Sequence, residues 1–180
     1  MKFVYYLFFF TLLFSCTTRE DLSEEIRQNF TNEELKIIAL SKEIIKQTYY
    51  GTLITIDREG QSRARIMEPF EPDKNFIIWL ATNPKSRKVS QLKENSSVTL
   101  HYFNKDNLEY VSLMGNAFLI DDDVIKSTKW KKGWERFYKN KKEDYMLIKF
   151  IPKTLEMISI ANAYNGDSAT WKPHQVILRE

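Results

Sequence analysis

An apolar run, Phe76-Ile77-Ile78-Trp79-Leu80, stops at Ala81-Thr82-Asn83-Pro84, and the residues just past that break limit the folds open to this chain. A short continuous apolar run closed by a breaker is the pattern of a buried strand. Ser86-Arg87-Lys88 then opens a short helical pattern with Val89 and Leu92 on one face, Asn95-Ser96 closes it, and residues 98–103 read as the next strand. A hydroxyl and two cations therefore stand where a strand hands over to a helix N-terminus. The free N–H groups and dipole of a helix start already favour an anion. Arg87 can offer a planar fork, and Lys88 a point charge, to phosphate oxygens. Two readings remain open from these residues alone: a phosphate-binding turn on a β scaffold, or a solvated basic turn.

The rest of the chain supplies mostly strands. Residues 51–57 are β-rich, 58–61 form a turn, and 62–67 return. Alternation on the returning strand puts Arg63, Arg65 and Met67 on one face and Ala64 and Ile66 on the other. Residues 104–107 read as a hairpin turn into a long strand over 108–120, where Gly115 signals a bulge or a close backbone approach. Residues 145–151 and 155–160 read as two more strands, joined through Pro152-Lys153. Ahead of the strands, Thr31 and Glu34 fit a capping box, and Leu35, Ile38, Ala39, Ile45 and Tyr49 follow at roughly helical spacing. Residues 124–138 read as a basic helix with Trp130, Trp134 and Phe137 on one face; core packing and a lid over a ligand are both compatible with it. Asp121-Asp122-Asp123 reads as a turn with a helix N-cap, not as a metal site. The fold class is mostly β (α+β), with an antiparallel sheet and flanking helices.

The N-terminus belongs to none of this. Lys2 precedes an apolar stretch over 3–14, too short for a membrane span and suited to a signal sequence. Leu13-Phe14-Ser15-Cys16 resembles a bacterial lipobox, with Cys16, the only cysteine, as the lipidated residue. The expected organisation is a lipoprotein signal peptide over 1–15, a lipidated Cys16 and polar tether over 16–30, and one domain over 31–180. The expected location is the bacterial cell envelope, lipid-anchored and facing the periplasm or the exterior. Acyl chains on one cysteine suffice for stable anchoring. Cleavage would remove Lys2 and lower the formal charge of +3 by one. Mixed charge of this kind describes a soluble surface and offers no basic stripe to nucleic acid. With His101 and His174 the only histidines, no pattern points to a metal, and Gly-rich nucleotide loops and a nucleophile elbow are missing.

Thr82-Asn83-x-x-Ser86-Arg87-Lys88, Gln91-Leu92 and Asn95-x-x-Val98-x-Leu100 together resemble the FMN-binding segment of the pyridoxamine 5′-phosphate oxidase-like split-barrel family. The chain is more closely similar to the general-stress flavoprotein branch, over about residues 35–178. The resemblance implies an antiparallel split β-barrel and a homodimer with FMN at the interface. It implies cofactor contacts from Arg63, Arg65, Met67, Ala81, Thr82, Ser86, Arg87 and Lys88. Spacing favours Arg63 for the phosphate, and a shift of two residues selects Arg65. The Trp171-x-Pro173 pattern of the tail fits the same branch and places Trp171 on the barrel end or at the flavin edge.

The resemblance also carries a departure. In the vitamin-oxidising members, the strand that begins at the residue matching Arg63 ends in a lysine; at that spacing this chain has Glu68. A carboxylate there would repel a substrate phosphate. The expected function is a membrane-anchored FMN-binding flavoprotein, an oxidoreductase that does not oxidise pyridoxamine 5′-phosphate efficiently. The alternative is a non-catalytic flavin- or ligand-binding lipoprotein of the same fold.

Overall fold

The computed structural model describes residues 23–179, so the expected signal peptide and Cys16 lie outside the described residues. Its helices are α1 (Glu24–Arg27), α2 (Asn32–Thr48), α3 (Arg87–Glu94), α4 (Asp123–Thr128) and α5 (Lys141–Asp144). Its strands are β1 (Gly51–Ile56), β2 (Ser62–Met67), β3 (Ile78–Thr82), β4 (Ser97–Asn104), β5 (Glu109–Ile120), β6 (Met146–Ser159) and β7 (His174–Ile177). They form one seven-stranded sheet along the path β2-β1-β4-β5-β6-β3, with β7 attached to β6. Every ladder is antiparallel. The sheet curls into a split barrel around Leu53, Leu80, Leu100, Leu113, Phe150 and Leu155, all fully buried.

α2 starts as the capping box requires. The Thr31 N–H donates to Glu34 Oε2 at 2.8 Å, and the Glu34 N–H donates to Thr31 Oγ1 at 3.3 Å. Its buried stripe is Ile37, Ile38, Ser41, Ile44 and Ile45. Ala39 faces solvent and Tyr49 lies past the last turn, so the stripe is rotated from the expected one. The tether expected over 16–30 is docked where it is described. Residues 24–27 are helical, the Ser23 N–H donates to the Lys74 carbonyl at 3.1 Å, and Phe30 packs on the core.

Three expected elements come out differently, each for a local reason. β3 begins at Ile78, not at Phe76. Phe76 is buried with φ 56°, and Asp73 Oδ1 accepts the N–H groups of Asn75 and Ile77 just before the strand. The two strands expected over 145–151 and 155–160 are one, β6. Pro152 does not end it, because the ladder shifts register between Met114 and Gly115, and Pro152 sits opposite Gly115. A bulge is where a strand tolerates a residue without an N–H. The helix expected over 124–138 breaks into α4, a loop, and a 3-10 turn over Trp134–Arg136. Gly133, at φ 92°, turns the chain where a helix would have continued. Trp130 and Trp134 still meet, with ring centroids 6.0 Å apart, and Tyr138 and Tyr145 join them; Phe137 is exposed. The tail adds β7, a strand not expected from the sequence pattern.

Candidate functional site

The strand-to-helix hand-over after β3 forms as the sequence suggests. Ser86 is the N-cap of α3, but its hydroxyl makes no capping bond. It lies 3.0 Å from Thr82 Oγ1 instead, and Lys88 Nζ donates to that same oxygen at 3.1 Å. Thr82 is buried and Lys88 half-buried. The first turn of α3 therefore keeps its orphan N–H groups beside two hydroxyls and an ammonium.

From the opposite side comes β2. Arg65 donates from Nη1 to Thr55 Oγ1 at 2.6 Å and from Nη2 to Gln91 Oε1 at 3.0 Å. Thr55 in turn donates to Gln91 Oε1 at 2.6 Å. Thr55 and Gln91 are buried, so this triad fixes the guanidinium in one orientation. Burial, and then the neighbouring Arg87, make Arg65 easier to deprotonate than an ordinary arginine. Burial, and then Arg65, lower the Lys88 pKa in the same way. Among the described residues no carboxylate pairs with Arg65, Arg87 or Lys88. Three cations held together without a counter-charge cost free energy that a bound anion returns.

Arg63 is elsewhere. Its Nε meets Asp57 Oδ2 at 2.6 Å and its Nη2 donates to Gln61 Oε1 at 2.9 Å, an ion pair at the β1–β2 turn. Spacing favours Arg63 for the phosphate; the geometry brings Arg65 to the cation cluster and ties Arg63 to the turn. Both project from the same face, and the partner each meets separates them.

Beside the cations runs a groove of about 390 Å³, lined by Met67, Ala81, Thr82 and Lys88 and walled by Tyr50, Trp134, Phe137 and Tyr138. Four sequence-predicted residues thus line one groove; Ser86 adjoins it through Thr82, while Arg65 and Arg87 are outside its lining, Arg65 neighbouring Lys88 and Arg87 neighbouring Arg65. Trp171 is not among them: it is 81% exposed, at φ 59°, in the loop before β7. The groove's aromatic wall, and the Thr55–Gln91 pair that orients Arg65, are not among the sequence-predicted site residues. For Gln91 a signal existed: it lies on the apolar face of α3 with Val89 and Leu92, where a buried amide needs polar partners.

Glu68 is the fastening of the aromatic wall. It accepts from the Tyr49 hydroxyl and from Trp134 Nε1 (2.9 Å), and Lys131 Nζ stands 3.5 Å away. Burial opposes its ionisation, but the Tyr49 and Trp134 hydrogen bonds and the Lys131 charge prevail and hold the carboxyl below its ordinary range. Tyr49, donating to that carboxylate, has its own pKa pushed up to about 12. This also amends the spacing argument for the missing lysine. Counted from Arg65 instead of Arg63, the position falls on Phe70, and Glu68 is engaged in fastening the wall. The site lacks a lysine there under either count.

The comparisons agree with this geometry. The profile of the family described as pyridoxamine 5′-phosphate oxidase like matches residues 37–159. A Clostridium acetobutylicum protein related to general stress protein 26 of Bacillus subtilis superposes with a TM-score of 0.67 at 20% identity, covering 79% of this chain and 94% of its own. General stress protein 26 from Bacillus anthracis gives 0.55 at 28% identity, covering 65% and 92%. A pyridoxamine 5′-phosphate oxidase-related, FMN-binding protein from Nostoc punctiforme gives 0.57 at 11% identity, covering 83% and 96%. No curated protein matches the chain at a significant level. The profile covers well over half of the residues, and the antiparallel sheet accompanies it: the chain belongs to the pyridoxamine 5′-phosphate oxidase-like family.

Proposed function

We propose that this protein binds FMN and serves as an oxidoreductase anchored to the cell envelope through Cys16. The observation that carries the flavin reading is the uncompensated cluster of Arg65, Arg87 and Lys88, of which Lys88 lines an aromatic-walled groove. The cations, the Thr82 and Ser86 hydroxyls and the start of α3 suit a phosphate dianion. The groove along Met67, Ala81, Trp134 and Tyr138 suits a flat ring system. When bound, FMN would supply hydride or single-electron transfer; the chain's own residues hold the phosphate, orient the ring and exclude water. The absence of a lysine at the place used by the vitamin-oxidising members supports a substrate other than pyridoxamine 5′-phosphate.

A homodimer is part of this reading. One outward face of the sheet carries Ile66 on β2, Ile54 on β1, Phe103 on β4, Tyr110 and Met114 on β5, and Ile158 on β6. Phe103 and Ile66 are 54% and 67% exposed, an apolar face of the kind that a second copy covers.

The test is FMN titration, with riboflavin as the phosphate-free control, followed by the mass of the loaded species in sedimentation. Lys88→Ala should lower FMN affinity about tenfold and leave riboflavin affinity within about twofold. The loaded species should have twice the chain mass. Equal losses for both flavins would remove the phosphate assignment, and a loaded single chain would remove the dimer. Affinity should also fall at both ends of the pH range. Below about pH 6 the phosphate takes up its second proton. On the alkaline side Lys88 loses its proton before the ordinary lysine value of 10.5, because its pKa in the free protein is lowered. A flat profile up to pH 10.5 would take Lys88 out of the site. Reduction of the bound flavin by a nicotinamide or quinol donor separates an enzyme from a binding protein. Loss of acyl labelling in Cys16→Ser checks the anchor.

A further inference from the structure

A second cavity lies on the other side of the wall that Glu68 fastens. It has a volume of about 720 Å³ and opens between the C-terminal end of α2, the 69–73 loop and the 129–132 segment. That size falls within the range of small-molecule sites. Its apolar lining is Ile45, Phe70, Pro72 and the ring of Tyr102, and its rim carries Lys46, Lys129, Lys131 and Lys132 against Glu71 and Asp73. With Lys131 paired to Glu68, three lysines still face the two carboxylates, so the balance at the rim is cationic. Lys46 and Lys132 take part in no ion pair among the described residues. Lys129 Nζ stands 5.6 Å above the Phe70 ring.

Two further observations point to a ligand. The Tyr102 hydroxyl is buried and has no hydrogen-bond partner, although the residue lines this cavity. Burial raises its pKa, so it stays an O–H donor in need of an acceptor. On the wall, Tyr49 is held at φ 63°, ψ −50°, and the Tyr50 N–H donates to the Thr48 carbonyl at 2.7 Å. This is the rare, strained form of a three-residue turn, and such strain gathers at ligand sites.

We propose that this cavity is a second ligand site, separate from the flavin groove, for a small organic anion with a flat apolar body. The rim lysines hold its acid group, Phe70 and Ile45 cover its body, and the Tyr102 hydroxyl donates to one of its oxygens. The site does not depend on the flavin assignment.

Anilinonaphthalene sulfonate is the probe, with uncharged N-phenylnaphthylamine as control, on the full domain. The sulfonate should bind saturably and remain bound when FMN is added in excess. The double substitution Lys129→Ala and Lys132→Ala should weaken it about tenfold and change the uncharged probe less than twofold. Tyr102→Phe keeps the ring and removes the orphan hydroxyl, so its melting temperature should hold or rise while sulfonate affinity drops about three- to tenfold. Four results would each overturn the proposal: no saturable binding, displacement by FMN, equal losses for both probes, or full affinity in Tyr102→Phe.

Discussion

Arg65→Ala should lower FMN affinity about ten- to a hundredfold, the loss of one charge-assisted phosphate contact of about 1.5–3 kcal/mol. Riboflavin affinity should change less than twofold. The loss falls on the phosphate because the Thr55–Gln91 pair holds the guanidinium beside Lys88 and leaves it no carboxylate partner. Arg63→Ala, two residues away on the same face, should leave both flavins unaffected. It removes an ion pair with Asp57 at a turn, and partly exposed pairs of that kind contribute about 0–1 kcal/mol to stability. The paired titration is decisive because the two arginines differ only in what they meet. A larger FMN loss in Arg63→Ala than in Arg65→Ala would mean that β2 presents the other arginine to the phosphate.

Gly115→Ala should destabilise the barrel by about 3 kcal/mol or more, at the upper end of what overpacking costs. A Cβ at this position would lie 2.2 Å from the Ile151 carbonyl oxygen and 2.6 Å from Pro152 Cα. Both are backbone atoms of the facing strand, so no rotamer change can relieve the clash. The two strands must part at the bulge, in the longest ladder of the sheet. At about 2–4 °C per kcal/mol for a chain of this size, the midpoint of thermal unfolding should fall by about 6–12 °C. Circular dichroism against temperature reads this directly. A variant that melts within about 2 °C of the parent would show that β5 and β6 do not approach this closely.

These two positions show what the sequence discloses and where it stops. Gly115 is legible as a bulge because a glycine gives a strand nothing to pack, so its place inside a long β pattern points to the backbone. The site turn is legible because a strand, a breaker, a hydroxyl and two cations succeed one another within a few residues. The choice between Arg63 and Arg65 is not, since alternation assigns both to one face. It turns on Asp57, six residues from Arg63, and on Gln91, brought to Arg65 by the folding of α3 onto β1. The aromatic wall is half legible for a similar reason, since core packing and a lid over a ligand both fit the same spacing. Trp130, Trp134 and Phe137 have helical spacing, but Gly133 and the distant carboxylate of Glu68 decide where the rings go.

In the path β2-β1-β4-β5-β6-β3, the strands that carry Arg65 and Thr82 are the two free margins of the sheet. Among the described residues no ladder pairs them; α3 reaches across to Arg65 through Gln91, and just past β2 the Phe70 N–H donates to the Trp79 carbonyl of β3 at 2.8 Å. A dianion gripped by Arg65 from one margin and by Lys88 and Thr82 from the other would act as a clasp. Closing the barrel and taking up the ligand then become one equilibrium. By mass action a ligand at a hundred times its Kd adds about 2.7 kcal/mol to the closed form. The melting temperature of such a sheet would rise with ligand concentration, because the ligand would bridge margins that the ladders leave apart.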